Sequence, residues 1–157
     1  MRIRQWSGKW VIIMMLIISG CSDGQAPVNV DLRKGQLAPC PDSPNCVSSQ
    51  AENQSRWVHP LRYESERARA RAQLLAVLNG MERVEIVQAD ETYIHAQFRS
   101  AVFGLVDDVE FLFDLPGFIQ VRSASRFGYY DFGDNRERVE NIRVRLAKAL
   151  ENTGLGS

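Results

Sequence analysis

The stretch VEFLFDLPGFIQVRSAS, residues 109–125, contains two runs of alternating apolar and polar residues around a Pro-Gly pair. Such alternation predicts two β-strands, and the Pro-Gly pair predicts the turn of a hairpin. The apolar side chains share one face only if the loop has three residues, 115–117. This register places Glu110 opposite Arg122 on the other face.

A second hairpin is predicted upstream, in VEIVQADETYIHAQF, residues 84–98. The same alternation occurs on both sides of a polar centre, which again predicts a three-residue loop. Matching the apolar residues pairs Ile86 with Ile94. Glu85 then lies opposite His95 on the polar face.

Helical periodicity predicts a first helix over residues 65–79, ended by Gly80, and a last helix over residues 134–154. Asp134, followed by Glu137, resembles a capping box at the start of the last helix. The predicted apolar stripes of the two helices are Ala68, Ala72, Leu74, Leu75, Leu78, Val139, Ile142, Leu146 and Leu150. The order α-β-β-β-β-α predicts an α+β fold with two layers, a four-stranded antiparallel sheet and both helices on one face.

The second face of this sheet is predicted to be polar. Its side chains are Glu85, His95, Gln97, Arg99, Glu110 and Arg122. We expect a solvated face with cross-strand ion pairs, each stabilising by under about 1 kcal/mol. The alternative is a binding surface roofed by residues 40–63 or by the apolar loop 101–106. We expect that loop to fold into the core. The alternatives are that it forms a lid over the polar face or a lip that faces the membrane.

The N-terminus predicts a bacterial lipoprotein, with residues 1–20 as its signal peptide. The apolar run 11–18 has eight residues, whereas a membrane-spanning helix needs about 20. The following IISGC, residues 17–21, resembles a lipobox, in which Cys21 receives a diacylglycerol and its amino group is acylated, for example with palmitate. Two or three acyl chains hold a protein firmly on a membrane surface.

The expected location is therefore the cell envelope, lipid-anchored on the periplasmic side. Ser22 follows the lipidated residue, and in enteric-type sorting Asp at that position retains lipoproteins at the inner membrane, so the outer membrane is favoured. Residues 21–39 comprise the lipidated Cys and a flexible tether of at most ~60 Å. Residues 40–154 are predicted to form one globular domain.

Charge and export argue against a nucleic-acid partner. Without Arg2, Arg4 and Lys9 of the signal, 16 basic residues remain against 19 acidic ones, a formal charge of −3. The expected partners are membrane lipid and, beyond it, an envelope protein or a small anionic ligand.

Cys40 and Cys46 form an even pair once Cys21 carries lipid, and an oxidising compartment favours a disulfide between them. The spacing is not Cys-x-x-Cys, which disfavours a redox centre. Zinc would need two further ligands, and the chain has only His59 and His95. A seven-residue closed loop stabilises by about 2 kcal/mol.

Several polar motifs occur in order along the chain. They are residues 44–49 (PNCVSS), 107–110 (DDVE), 122–126 (RSASR) and 128–131 (GYYD), with Gly133, Asn135 and Arg136. Together these motifs resemble domain-of-unknown-function family 1499, which occurs in bacterial envelope proteins and in photosynthetic organisms. The resemblance covers residues 40–150. It implies no established reaction, only that these residues are the family's shared polar set.

A metal site would draw on the carboxylates of Asp107, Asp108, Glu110 and Asp131. Consecutive aspartates point to opposite sides of a strand, and Arg122 and Arg126 compete for them as ion partners. We therefore predict no metal and no cofactor.

Serine hydrolysis by Ser123 or Ser125 with His95 is disfavoured, because Ser123 falls on the apolar face and His95 on the polar one. A Glu85–His95 acid–base pair remains geometrically conceivable. An anion site is a further alternative, because arginine forks and helix N-termini both bind anions. Its candidate ligands are Arg122, Ser125, Arg126 and Asn135, opposed by the charges of Asp131 and Asp134.

These observations favour an envelope lipoprotein whose domain is a non-catalytic binding or scaffolding module. One alternative is an enzyme acting on a small envelope or periplasmic molecule, with His95, Glu110, Arg122 and Asp131 as candidate catalytic residues. A second alternative is a structural envelope protein recognised through the basic edge of the first helix, Arg67, Arg69 and Arg71.

Overall fold

The computed structural model describes residues 34–154. The predicted signal peptide and the predicted lipidation site Cys21 lie outside the described residues. Within residues 34–154, no helix is both long and apolar enough to cross a membrane.

The α+β class is confirmed, but the strand count is not, because the described chain has six strands instead of four. In chain order the elements are β1 (Cys46–Ser48), β2 (Leu61–Arg62), α1 (Arg67–Asn79), β3 (Val84–Ala89), β4 (Tyr93–Arg99), β5 (Val106–Leu112), β6 (Phe118–Ser125) and α2 (Asp134–Gly154). The sheet is antiparallel with the order β1-β6-β5-β4-β3, and β2 also pairs with β6.

The two additional strands lie in residues 40–63, the segment that the sequence offers as a roof over the polar face. Residues 46–48 pair with residues 122–124, and residues 61–62 pair with residues 118–119. The segment therefore extends the sheet along the outer edge of β6. Strands of two and three residues are too short for a readable alternation, which is why the sequence did not reveal them.

The second hairpin has the predicted register. Glu110 lies opposite Arg122, and Phe111 lies opposite Val121. Gly117 has a φ of 82°, a backbone conformation that glycine adopts readily and other residues resist. The strands are shorter than predicted, since β5 ends at Leu112 and β6 begins at Phe118, so residues 113–117 connect them.

The predicted pairing of the first hairpin is wrong, and its connection lies later than predicted, because Ala89 belongs to β3 and residues 90–92 join it to β4. Ile86 lies opposite Ala96 and Glu85 opposite Gln97, while His95 lies opposite Gln88. The register shifts between Ile86 and Gln88, as a β-bulge does by inserting one extra residue. For residues 84–86 the pairing is shifted by two residues from the predicted one, which keeps each side chain on its own face, so alternation alone cannot detect that shift.

The bounds of the helices differ from prediction only at the start of α1, which begins at Arg67 and ends at Asn79 before Gly80. The predicted apolar stripe of α1 is wrong at two positions, because Ala68 and Ala72 are exposed and Ala70 is buried instead. The core of the molecule joins the sheet and both helices. It includes Leu74, Leu78, Ile94, Ala96, Val109, Phe111, Phe113, Ile119, Val121, Val139, Ile142 and Leu146.

The apolar loop 101–106 was expected to fold into the core, and this expectation is wrong, because the loop is exposed between β4 and β5. Val102 is 81% exposed and Phe103 is 80% exposed.

The N-terminal boundary of the domain lies earlier than predicted. Leu37 and Ala38 are buried, and Leu37 packs against Tyr93 and Leu112. Packed structure therefore begins before Cys40.

Candidate functional site

The polar sheet face is largely buried, which corrects the expectation of a solvated face. Glu110 is 0% exposed, His95 is 5% exposed and Arg122 is 7% exposed. Only the β3 side of this face matches the expectation, where Arg99 and Glu85 form an exposed ion pair at 3.4 Å. Buried charges are costly unless they are paired, so the partners of the buried groups decide what this face can do.

Glu110 has both carboxylate oxygens engaged. The hydroxyl of Tyr93 donates to Oε1 at 2.8 Å, and Nη1 of Arg122 donates to Oε2 at 2.7 Å. Burial, followed by the nearby Glu110 charge, raises the pKa of the Tyr93 hydroxyl well above its ordinary value. Tyr93 therefore remains a hydrogen-bond donor to Glu110.

Asp108 forms the second half of the arrangement. Arg126 donates to both carboxylate oxygens, from Nε to Oδ2 at 2.7 Å and from Nη2 to Oδ1 at 2.9 Å, and Nε2 of His95 lies 2.7 Å from Oδ1. Burial alone would raise the pKa of Asp108. The hydrogen bonds and charges of Arg126 and His95 outweigh burial and lower that pKa.

The two halves are neighbours, because His95 is paired with Glu110 across β4 and β5. We call the six side chains the paired network. They are Tyr93, His95, Asp108, Glu110, Arg122 and Arg126. Within the described residues, Nε of Arg122 is the one buried nitrogen or oxygen of this network that has no hydrogen-bond partner.

The helix-facing side of the sheet carries a separate polar cluster. Ser123 Oγ donates to Asn135 Oδ1 at 2.6 Å, and Arg138 Nη1 donates to the same oxygen at 2.7 Å. Arg138 also pairs with Asp107. Ser123 therefore lies across the sheet from His95 and attaches the sheet to α2.

Asp131 holds the start of α2, a role that the sequence assigned to Asp134. Its carboxylate accepts hydrogen bonds from the backbone N–H of Gly133 at 3.1 Å and of Asn135 at 3.0 Å, and from Asn135 Nδ2 at 2.7 Å. Burial would raise the pKa of Asp131, but these hydrogen bonds lower it. Asp131 thus caps α2 on the helix side, away from the other candidate catalytic residues.

Two asparagines hold the loop between β6 and α2. Asn45 Nδ2 donates to the carbonyl of Gly128 at 2.7 Å, and Asn135 Nδ2 donates to the carbonyl of Asn45 at 2.9 Å. Asn45 directly precedes Cys46, whose disulfide to Cys40 is present. The Cys40–Cys46 loop therefore positions Asn45, and Asn45 in turn positions the following loop.

The structure separates the four candidate anion ligands. Arg122 and Arg126 lie on the polar face, each paired with a carboxylate. Ser125 accepts a hydrogen bond from Asn135 at 3.0 Å on the other side of the sheet. The four side chains do not converge on one point.

Sequence reasoning missed Tyr93 and considered Asp108 only as a metal ligand, although both belong to the paired network. Strand parity carried a signal for both, because Tyr93 lies two residues before His95 and Asp108 two residues before Glu110. Within residues 34–154 no three His, Cys, Asp or Glu side chains form a group that could hold a metal ion.

A surface cleft of about 890 Å³ lies elsewhere, between the start of α1 and the hairpin turns. Its lining includes Tyr63, Arg67, Arg71, Glu91 and Gly117. No member of the paired network lines this cleft.

Together, these features define an α+β protein with charged groups buried and mutually paired on one face of its sheet. The family described as "Protein of unknown function (DUF1499)" matches residues 36–146 of the 157-residue chain. The chain belongs to this family. No curated protein and no solved structure matches the chain.

Proposed function

We propose that the protein is a lipid-anchored cell-envelope protein, held on the periplasmic side of the membrane through Cys21. Its domain acts as a non-catalytic binding or scaffolding module. The second part rests on the two buried carboxylates of the paired network, of which Glu110 is a candidate catalytic residue. Both oxygens of Glu110 and both oxygens of Asp108 accept hydrogen bonds from neighbouring side chains.

A general acid or base must reach the substrate proton directly or through one water. Here the carboxylates of Glu110 and Asp108 are buried. They are hydrogen-bonded to Tyr93, Arg122, His95 and Arg126. This arrangement suits a rigid framework better than proton transfer to a bound molecule. Asp131, the remaining candidate, is occupied in starting α2.

The alternative based on the basic edge of α1 is less well supported. Arg71 donates to the backbone carbonyls of Ala89 and Asp90, each at 2.7 Å. Its guanidinium thus ties α1 to the end of β3. It is engaged within the molecule, so the edge does not offer three arginines to a partner.

Native mass spectrometry of the full chain, extracted gently from its own membrane, tests the proposal. We expect the mass of the chain from Cys21 with its acyl groups, less two hydrogens for the disulfide, and no further bound molecule. The measurement is repeated with Arg122→Gln, and with Arg99→Gln as a matched control on the exposed part of the same face. A small molecule that is lost only with Arg122→Gln, in a variant that circular dichroism shows to be folded, would establish a ligand site on the polar face, contradict a purely scaffolding role and favour the enzyme alternative.

A further inference from the structure

Two loops display large apolar side chains to solvent. We call residues 100–105 the first tip and residues 126–133 the second tip. Val102 and Phe103 of the first tip are 81% and 80% exposed. In the second tip, Tyr129, Tyr130 and Phe132 are 62%, 64% and 97% exposed.

Both tips lie at the same end of the sheet. Arg99, at the end of β4, is paired with Val106, at the start of β5, and the first tip connects them. The second tip follows Ser125, which is paired with Asp107. The backbone N–H of Arg126 donates to the carbonyl of Val106 at 3.1 Å, so the tips leave adjacent strands side by side.

The second tip is held in a fixed conformation. Phe132 has a φ of 54°, a region that bulky side chains rarely adopt. Asp131 and Asn135 hydrogen-bond across this point, and Asn45 holds the carbonyl of Gly128. The neighbouring structure thus maintains an unfavourable backbone conformation that leaves an aromatic ring in water.

The first tip is closed by its own hydrogen bonds. Ser100 donates its backbone N–H to the carbonyl of Leu105 at 2.9 Å, and Gly104 donates to the carbonyl of Ser100 at 3.2 Å. A Cβ added at Gly104 would meet no atom within 4 Å, and the same holds for Gly133 of the second tip. Both tips are therefore protrusions and not the walls of a groove.

Protruding aromatic side chains fit a bilayer surface better than they fit a helix or strand, which needs a groove or a free edge. Phe and Tyr are amphipathic or apolar rings that partition into the region between lipid headgroups and acyl chains. The first tip has no charged residue. In the second tip, Arg126 pairs with Asp108 and the Asp131 carboxylate is bonded to the start of α2, so the affinity of the tips depends on apolar burial.

Chain length allows the tips to reach the membrane. The described chain begins at Lys34, and Gly35 packs beside Asp114, just beyond β5 at the end of the sheet opposite the tips. A seven-residue strand such as β5 is about 23 Å long. The 13 residues from Cys21 to Lys34 span at most ~45 Å, so the anchor does not keep the tips from the same surface.

We infer that both tips insert their aromatic side chains into the lipid surface to which the chain is anchored, and that they orient the domain on it. This inference rests on the proposed anchor at Cys21. Anchoring raises the effective concentration of the tips at the bilayer, so weak insertion is sufficient.

Fluorescence quenching tests the inference in the full, acylated chain, reconstituted in vesicles of phosphatidylethanolamine and phosphatidylglycerol that contain brominated phospholipid. Phe132→Trp and Phe103→Trp place a reporter in each tip. Val144→Trp is the matched control, because Val144 is 67% exposed on α2 and lies outside both tips. The parent chain, which retains Trp57, is measured in parallel and subtracted.

We expect the indoles in both tips to be quenched roughly twofold, as befits insertion by 5–10 Å, and the control indole to be unaffected. Equal quenching of all three, or none at either tip, would overturn the inference. A blue shift of the tip tryptophan emission that appears with native membranes but not with the pure lipid vesicles would assign the tips to a protein partner instead. A blue shift that grows with protein concentration in the absence of lipid would assign them to a second copy of the chain.

The intact mass of each sample separates this inference from the anchor. A chain without acyl groups contradicts the proposed anchor but not the tips, which are then tested by adding the same vesicles. Circular dichroism and the intact Cys40–Cys46 bond verify that each variant is folded.

Discussion

Arg122 and Glu110 are directly opposed on neighbouring strands, and 2.7 Å separates Arg122 Nη1 from Glu110 Oε2. The two side chains are 8% and 0% exposed. The free-energy cost of moving two charges from water into the protein interior offsets much of their mutual attraction. The pair therefore specifies the arrangement of the face more than it adds to stability.

Replacing one partner of this pair is expected to be costly. Arg122→Met leaves Glu110 buried with Tyr93 as its remaining partner, and we expect a loss of about 3–5 kcal/mol in the free energy of unfolding. The double variant Arg122→Met with Glu110→Met removes both charges and recovers most of that loss. Urea unfolding with a double-mutant cycle measures both values.

Arg99→Met is the matched control for this experiment, because Arg99 pairs with Glu85 on the exposed part of the same face. Its expected loss is under about 1 kcal/mol. If Arg122→Met lost no more than the control, the buried pair would be open to water in solution.

Asp108 is expected to make the protein sensitive to acid. Its pKa is lowered in the folded state relative to about 3.9 in an unfolded chain. A lowered carboxyl pKa stabilises the fold above the unfolded pKa, and this stabilisation is lost as pH falls through the folded pKa. Melting temperature should therefore fall steeply below about pH 4.

Asp108→Asn should be less stable than the parent at neutral pH, with a shallower decline in melting temperature below about pH 4. Glu91→Gln, an exposed substitution in the β3–β4 turn, controls for the loss of one carboxyl group. An acid profile of Asp108→Asn that parallels the parent would show that Asp108 does not contribute to acid unfolding.

Asn135→Ala tests the attachment of the second tip. Asn135 is fully buried and donates to the carbonyl of Asn45 and to Asp131. Its loss leaves buried groups without partners, which costs about 1–3 kcal/mol for each. Hydrogen exchange should accelerate across residues 126–133, whereas the exposed Asn141→Ala should leave it unchanged. Unaltered exchange in Asn135→Ala would contradict the role of Asn135.

Removing the disulfide by Cys40→Ala with Cys46→Ala should cost about 2 kcal/mol, because the closed loop is short. The predicted secondary effect is faster hydrogen exchange in the second tip, since Asn45 adjoins Cys46 and holds Gly128. Thermal melting and hydrogen exchange measure the two effects. Complete unfolding of the double variant would mean that the bridge is more than a local restraint.

How much of this fold is readable from sequence depends on whether local pattern is sufficient. The register of the second hairpin is predicted correctly because its turn and its apolar alternation agree on one register. Helix α2 was correct because a long stripe at 3.6-residue spacing is distinctive. Residues 34–38, by contrast, had no periodic pattern, yet Leu37 and Ala38 are buried.

The sequence by itself determined the fold class, the second hairpin and the residues that share the polar face. Only the tertiary structure decided that this face is buried and paired, that β1 and β2 extend the sheet, and that Asp131, not Asp134, holds α2. It also decided that the apolar loop after β4 is a protrusion. The physical reason is that periodicity assigns a side chain to a face. Whether that face is buried and its charges are paired depends on distant segments of the chain, which either cover the face or leave it exposed.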